Sequence, residues 1–453
     1  MVVGDLATTV EVVVLGAGPG GYVSAIRAGQ LGKEVVVVDP GPPGGTCLQL
    51  GCIPAKALLS AADRVWQLSH LEELGITTGK IQVDLPKMHG WKNGVVQRLS
   101  EGVKQLFDHY KVELVSGTGF FLSENELRVE AEYGTKRFLF EHCIIAVGGD
   151  PAPLPDLAFD GQRVLTPGQA LSLTELPKSL DVIGSDYIAA ELATIFAKLG
   201  VAVRLLIPEG QHLLHEFDPS AGRQVQSRLK QLGAEIEALV KAPAEAAAGS
   251  ALVIVSNGLI PRTGKLHLEA AGVNVEASGF IRVNDRLQTS HPAIYAVGDV
   301  TGGLALASLA IKQGKVAAES IAGKPAQFAP QAVPRVAWTD PPVAAVGLTA
   351  AQAEAAGYTV VTGRFPLAAN GRAMTLNAAR GFVQTVAERE NEVLLGVTIV
   401  GAQADSLIGE AALALEMGAT LTDLAETVHA HPSLGETLQE SAEAALGIAV
   451  HIK

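Results

Sequence analysis

A glycine-rich stretch near the start of the chain constrains the fold more than any other feature. Val10 to Leu15 is an apolar run rich in β-branched residues and reads as a buried parallel strand. Gly16-Ala17-Gly18-Pro19-Gly20-Gly21 follows directly, and Tyr22 to Leu31 reads as a helix. Gly16, Gly18 and Gly21 fit the pattern GxGxxG between strand and helix. Side chains at these positions would obstruct the tight turn, the approach of a pyrophosphate to backbone N–H groups, and close helix–strand packing. The helix N-terminus adds partial positive charge at the same place. Taken alone, the pattern is weak evidence. Here the next strand, Val35 to Val38, ends in Asp39, placed to accept from a ribose hydroxyl. The unit also repeats. Leu180 to Gly184 opens a second strand–turn–helix, with Tyr187 to Leu199 as its helix and Val201 to Ile207 as the following strand.

Two cysteines sit between these units. Gly44-Gly45-Thr46-Cys47-Leu48-Gln49-Leu50-Gly51-Cys52-Ile53-Pro54-Ala55-Lys56 places Cys47 and Cys52 five positions apart. Pro54 suits the first turn of a helix, and Ala55 to Ala62 reads as helix. Cys52 then lies at a helix N-terminus, where the dipole favours a thiolate. A structural disulfide or a metal clip is the plainer reading. A metal would need further Cys or His ligands nearby, and none lies within reach in sequence. Beside a nucleotide site, the pair reads as a reversible redox disulfide. The third cysteine, Cys143, lies beside Ile144 and Ile145 in a hydrophobic strand and reads as an inert core thiol.

The segment GGTCLQLGCIPAKALL resembles the active-site segment of the flavin-linked pyridine-nucleotide disulfide oxidoreductases, in their dihydrolipoamide dehydrogenase branch. The likeness runs from about Val10 to the C-terminus. It implies an α/β fold with two Rossmann-like domains, FAD- and NAD-type, in three-layer ββα form, plus a C-terminal α+β dimerisation domain. The implied boundaries are 1–150 for the FAD-binding domain and 151–260 for a shortened NAD-type domain. A central domain at 261–330 completes the FAD site, and 331–453 forms the interface domain, where Trp338-Thr339-Asp340-Pro341-Pro342 marks a composition shift.

The resemblance assigns FAD contacts to Gly16, Gly18, Gly21, Asp39, Gly45, Thr46, Lys56 and Gly117. Ile144 to Gly149 resembles a second flavin-side segment, usually written ATGS, and adds Ala146 and Gly148. Ile294 to Val300 is a third signature, in which Asp299 would bond the ribityl chain. Leu306 and Ala307 open a helix whose N-terminus would face the flavin pyrimidine oxygens and stabilise negative charge there. Ser308 stands where the family often has histidine.

For catalysis, the resemblance makes Cys47 the interchange thiol and Cys52 the thiol against the flavin. Lys56 stabilises the reduced flavin, and Glu191 holds Lys56. His431-Pro432-Ser433-Leu434-Gly435-Glu436 resembles the family's HPTLSE motif. His431 would be the base and Glu436 its orienting carboxylate, reaching into the other subunit's site of a homodimer. A histidine suits this work because its pKa lies near working pH, and only a thiolate attacks a disulfide. His429 reads as a packing residue.

At the NAD-type unit the family pattern is degraded. Gly184 is kept, but Asp186 and Ala189 replace the other two fingerprint glycines, and the strand ends in Ile207 without an acidic ribose partner. Lys241 to Ser250 replaces the usual β-meander in shortened form, and Leu259 and Ile260 take positions that are commonly basic. Gly184, Tyr187, Glu191 and Gly258 remain as NAD contacts. NAD use is therefore expected but weakened.

Charge narrows the partners. The net charge is −13, from 34 basic and 47 acidic residues, with no Lys/Arg run. Nucleic acid is excluded on this ground, and a basic protein partner suits the surface better. A lipoyl-bearing acyltransferase or another lipoyl protein is the partner the resemblance implies. Three cysteines are too few for a secreted disulfide framework. Met1 to Thr9 has no basic region, Val10 to Leu15 is too short for a signal core, and no apolar run spans a bilayer, so a cytoplasmic protein without membrane contact is expected. No metal site is expected. Two other functions compete with the lipoamide reading. One is a related flavin disulfide oxidoreductase with a non-NAD acceptor; the other is a non-catalytic flavoprotein subunit docking to a lipoyl assembly. The second would need none of Cys47, Cys52, Lys56, His431 and Glu436.

Overall fold

The computed structural model describes residues 7–132 and 134–453. The first residues of the Met1–Thr9 stretch, 1–6, lie outside the described residues. The strand Thr8–Leu15 is central to the first sheet. It pairs in parallel with Val35–Asp39 on one side and with Gly134–Ile145 on the other. Val12, Val13 and Val14 are fully buried, because both faces of the strand are covered. The helix Pro19–Gln30 starts three residues before the expected Tyr22, since Pro19 is itself a good first-turn residue.

Lys111 to Val115 reads in the sequence, with Glu126 to Val129, as a short strand of a meander, but Val112–Ser116 joins the parallel sheet beside Val35–Asp39. The 25-residue helix Leu85–His109 carries the chain across the sheet face, and a crossover of that length delivers a parallel strand. The antiparallel meander consists of Thr118–Ser123, Glu126–Ala131 and Gly134–Ile145. Much later in sequence, Ile294–Ala296 pairs in parallel with the end of Gly134–Ile145, setting Ile294 opposite Cys143. The helix Ala307–Ile321 then packs on Pro19–Gln30, where a Cβ on Gly314 would meet the Gly20 carbonyl at 2.5 Å. Residues 294–321 thus complete the first nucleotide unit from a distance.

The second sheet is all parallel, in the order Glu235–Leu239, Ala202–Pro208, Ser179–Ile183, Val253–Val255, Val164–Leu165. Its helix Tyr187–Lys198 is buried along almost its whole length, wedged between this sheet and the cysteine-bearing helix Cys52–Leu68. Lys241 to Ser250 holds only the short helix Pro243–Ala246. The C-terminal part is a five-stranded antiparallel sheet covered by the helices Ala404–Met417 and Glu436–Leu446. The architecture is two Rossmann-like units followed by an α+β domain. No helix among the described residues is long and apolar enough to cross a membrane.

Candidate active site

The first fingerprint turn is built so tightly that side chains cannot enter it. Gly16 has φ 101°, and a Cβ there would lie 2.4 Å from the Ala146 carbonyl oxygen. A Cβ on Gly21 would collide with the Gly16 carbonyl. Gly18 differs: its Cβ would meet only Gly45 Cα, at 3.8 Å, so the fold alone does not demand glycine there. The space in front of Gly18 is what a pyrophosphate needs. Gly18 is also the N-cap of Pro19–Gln30, with no side-chain cap bond and no acidic residue in the first turn. Leu306, N-cap of Ala307–Ile321, likewise has no side-chain cap bond. Two helix N-termini, packed on each other, are thus left without side-chain anions. Asp39 accepts from the Ala17 N–H and the Gly41 N–H, each at 2.7 Å, which stitches the strand end to the turn and leaves a further lone pair on each oxygen. Gly117 backs this strand, where a Cβ would lie 2.6 Å from the Glu130 carbonyl oxygen. Gly148, at φ 71°, faces open space, and Thr46 is exposed. Glycines, a carboxylate and uncapped helix ends in this arrangement fit FAD.

The cysteines lie at the junction of the units. Cys47 sits in a short helix, Gly45–Gln49, that the sequence did not announce. Cys52 is the first residue of Cys52–Leu68, three positions earlier than the expected helix start at Ala55. Both thiols are free and partly buried, and they are hydrogen-bonded to each other. The bond from Cys47 holds the Cys52 thiol down at about 7, against the cost of burial, and the nearby Lys56 ammonium adds to the effect. Cys47 is pushed far up by the same bond and by burial. Of the two, Cys52 is the sulfur that these contacts push toward the thiolate. Cys143 is fully buried, and burial alone pushes its thiol up.

Beneath the pair, Lys56 Nζ donates to Glu191 Oε2 at 2.7 Å. Glu191 is 4% exposed, and its other oxygen accepts from the Trp338 N–H at 2.9 Å. This carboxylate joins the cysteine helix, the second nucleotide unit and the C-terminal domain. Trp338 was not recognised as a site residue; a backbone N–H leaves no signal in sequence. Asp299 is raised by burial, and Arg262 acts weakly against it. Tyr187 is raised well above the usual range by burial, with Glu191, Cys52, Asp186 and Asp299 adding to it, which places its hydroxyl in the field of the same site.

His431 is not brought to the cysteines within one chain. Its ring is 81% exposed, and its Nδ1 is 2.7 Å from Glu436 Oε1. Glu436 Oε2 accepts from the Ser433 N–H at 2.7 Å. Burial would raise Glu436, but the Ser433 bond and His431 together lower it. A charged carboxylate fixed in this way holds the imidazole proton on Nδ1 and leaves Nε2 as the base. His429 is turned inward, with Nε2 2.9 Å from Glu410.

The second fingerprint turn is occupied by the chain itself. Asp186 is the N-cap of Tyr187–Lys198, and its Oδ1 accepts from the Ala189 N–H at 2.8 Å. Ser256 donates to Asp186 Oδ2 at 2.7 Å. Gly184 keeps φ 152°, with the Ser256 carbonyl 2.5 Å from where its Cβ would stand. Gly258 has φ 78° and open space around it. Ile207 is buried and apolar, so its side chain offers no acceptor at this position.

A nucleotide-binding first unit, a cysteine pair backed by a Lys–Glu pair, and an exposed His–Glu pair on a separate α+β domain define a flavin-dependent disulfide oxidoreductase. Comparison with known proteins agrees. Residues 10–314 match the pyridine nucleotide-disulphide oxidoreductase family, and residues 333–442 match that family's dimerisation domain. The chain belongs to this family, whose members bind FAD and use NAD. The dimerisation domain supports a homodimer. Among curated relatives, the dihydrolipoyl dehydrogenase of Geobacillus stearothermophilus is 42% identical, covering 100% of this chain and 99% of its own. That of Haloferax volcanii is also 42% identical, with the same coverage. The crystal structure of LpdA from Mycobacterium tuberculosis superposes with a TM-score of 0.88 at 26% identity, covering 96% of this chain and 99% of that one. The flavoprotein disulfide reductase RclA of Escherichia coli has the same fold, with a TM-score of 0.84 at 24% identity over 96% of this chain and 99% of that one.

Proposed function

We propose that the chain oxidises dihydrolipoyl groups on a lipoyl-bearing acyltransferase or other lipoyl protein, through a Cys47–Cys52 disulfide. The observation that carries this reading is the free Cys47–Cys52 pair, backed by Lys56 on the helix that Cys52 begins, whose ammonium is held by the buried Glu191 at 2.7 Å. In the oxidised enzyme, His431 of the other subunit takes a proton from one dihydrolipoyl thiol. The thiolate attacks Cys47, the Cys47–Cys52 bond breaks, and a mixed disulfide forms with Cys52 leaving as thiolate. Lys56 favours that leaving charge. The second dihydrolipoyl thiol then displaces Cys47, which takes up a proton, and the lipoyl ring closes. Two electrons have passed to the cysteine pair. Bound FAD supplies the acceptor for those two electrons, held by Gly16, Gly18, Gly21, Asp39, Gly45, Thr46, Gly117, Ala146, Gly148, Asp299 and the helix end at Leu306 and Ala307. A cytoplasmic placement and the acidic surface, with net charge −13, suit a partner with a basic docking face.

The test is anaerobic mixing of the FAD-loaded protein with dihydrolipoamide. One equivalent of dihydrolipoamide per protomer should yield one lipoamide disulfide, measured by mass spectrometry, with a change in the flavin absorbance. Cys47→Ser and Cys52→Ser should each abolish product formation. Product formation in either variant would overturn the reading.

A further inference from the structure

We infer that the second nucleotide unit is closed to dinucleotides by the chain's own carboxylates, so that NAD binds there only by displacing Asp186. This deepens the dithiol-oxidase reading and rests on it, since it concerns the exit of the electrons that the dithiol supplies.

The molecule contains its own control. Both units present a strand, a glycine turn and a helix in the same order. In the first, the helix N-terminus has no side-chain cap and no acidic residue in its first turn. In the second, the Ala189 N–H donates to Asp186 at 2.8 Å, and the Tyr187 N–H reaches Glu216 Oε1 at a long 3.4 Å. Those N–H groups and the helix dipole are what a pyrophosphate binds. They are already shared between two carboxylates.

Asp186 is not free to swing aside. Ser256, 7% exposed, holds its second oxygen at 2.7 Å. The loop after strand Ala202–Pro208 is tied down over the same turn. The Leu214 N–H donates to the Ser185 carbonyl at 2.7 Å, and the Ser185 hydroxyl contacts Gln211 and, at 2.9 Å, His215 Nδ1. Glu216 brings its second oxygen, Oε2, into a buried position with no hydrogen-bond partner. An incoming phosphate would therefore meet two acidic groups at the contact point, one of them already short of donors. The third fingerprint position adds bulk: the Ala189 methyl is fully buried and lies 3.1 Å from the ideal Cβ position of Gly184. In the first unit the matching Gly21 sits directly against the Gly16 carbonyl. The buried Ile207 stands in place of an acidic strand end, so that position supplies no ribose acceptor to offset the repulsion.

The experiment is calorimetric and thermal-shift titration of the FAD-loaded homodimer with NADH, for the wild type, Asp186→Gly and Asp186→Asn. Asparagine caps a helix as well as aspartate does, so Asp186→Asn keeps the cap and removes the charge. We expect NADH to bind Asp186→Gly at least tenfold more tightly than the wild type, with Asp186→Asn equal to it or between the two. Flavin absorbance and the melting temperature confirm that each variant is folded. If neither variant binds NADH more tightly than the wild type, the carboxylate is not the barrier and the inference fails. It fails equally if wild type and variants show the same thermal shift with NADH. Reduction by dihydrolipoamide, measured on the same samples, tests the dithiol reading separately, because that half-reaction does not involve the second turn.

Discussion

Glu191→Gln would separate two roles that one carboxylate performs. Glutamine keeps the shape and can still accept from the Trp338 N–H, which Glu191 holds at 2.9 Å. What it loses is the charge facing Lys56 at 2.7 Å. Breaking a fully buried ion pair costs about 3–5 kcal/mol, and a single hydrogen bond to a charged group contributes about 1.5–3 kcal/mol. Glu191 is 5% exposed at its side chain but Lys56 is 27% exposed, so water can partly rehydrate the ammonium. The lower range applies, and about 2 kcal/mol of stability should be lost by guanidinium unfolding of the reduced protein. The second effect concerns sulfur. Lys56 stabilises the Cys52 thiolate, and Glu191 opposes it. Removing the opposing charge while the ammonium stays should bring Cys52 below its value of about 7. Thiolate absorbance in the ultraviolet, followed against pH, measures this directly. An upward shift, or unchanged stability, would show that the Lys56–Glu191 pair does not act on the thiol in the way its geometry requires.

Four further outcomes are expected. Gly18→Ala should leave the fold intact, because its Cβ would meet only Gly45 Cα, at 3.8 Å, yet weaken FAD by more than about tenfold in reconstitution of the apoprotein. Cys47→Ala should raise the Cys52 thiol by removing its hydrogen-bond donor, and Cys52→Ser should abolish the thiolate titration near 7; both are read by the same absorbance. The reduced protein should gain stability as pH rises from about 7 to 9, because the folded Cys52 ionises before the unfolded one. Above that range Cys47, raised in the folded state, should reverse the trend. Urea midpoints across pH, with the oxidised protein as reference, test the sign. His431→Gln should lower dihydrolipoamide oxidation by a factor of about 100 or more, and mixing it with Cys47→Ser protomers should restore some activity in heterodimers. Full activity in the single variant would remove His431 from the reaction.

The first nucleotide unit was legible in the sequence because its constraints are local. A turn that admits no Cβ at Gly16 and Gly21 must be written as glycine, and a strand buried on both faces must be written as an apolar run. The cysteine spacing and the His431–Glu436 spacing are also short-range patterns, and the hydrogen bond between the latter two follows from five residues of chain. Tertiary structure decided the rest. Val112–Ser116 belongs to the parallel sheet because a long helix delivers it there, and no feature of the strand itself records that. Glu191 meets both Lys56 and Trp338 only because three separate segments converge, and one of its partners is a backbone N–H that any residue would provide. At the second turn, the sequence showed that Asp186 stands where glycine was expected. Only the fold brought Ser256 and Glu216 from 70 and 30 positions away to complete the closure, because the hydrogen bonds of a buried carboxylate are satisfied by whatever the packed chain places beside it.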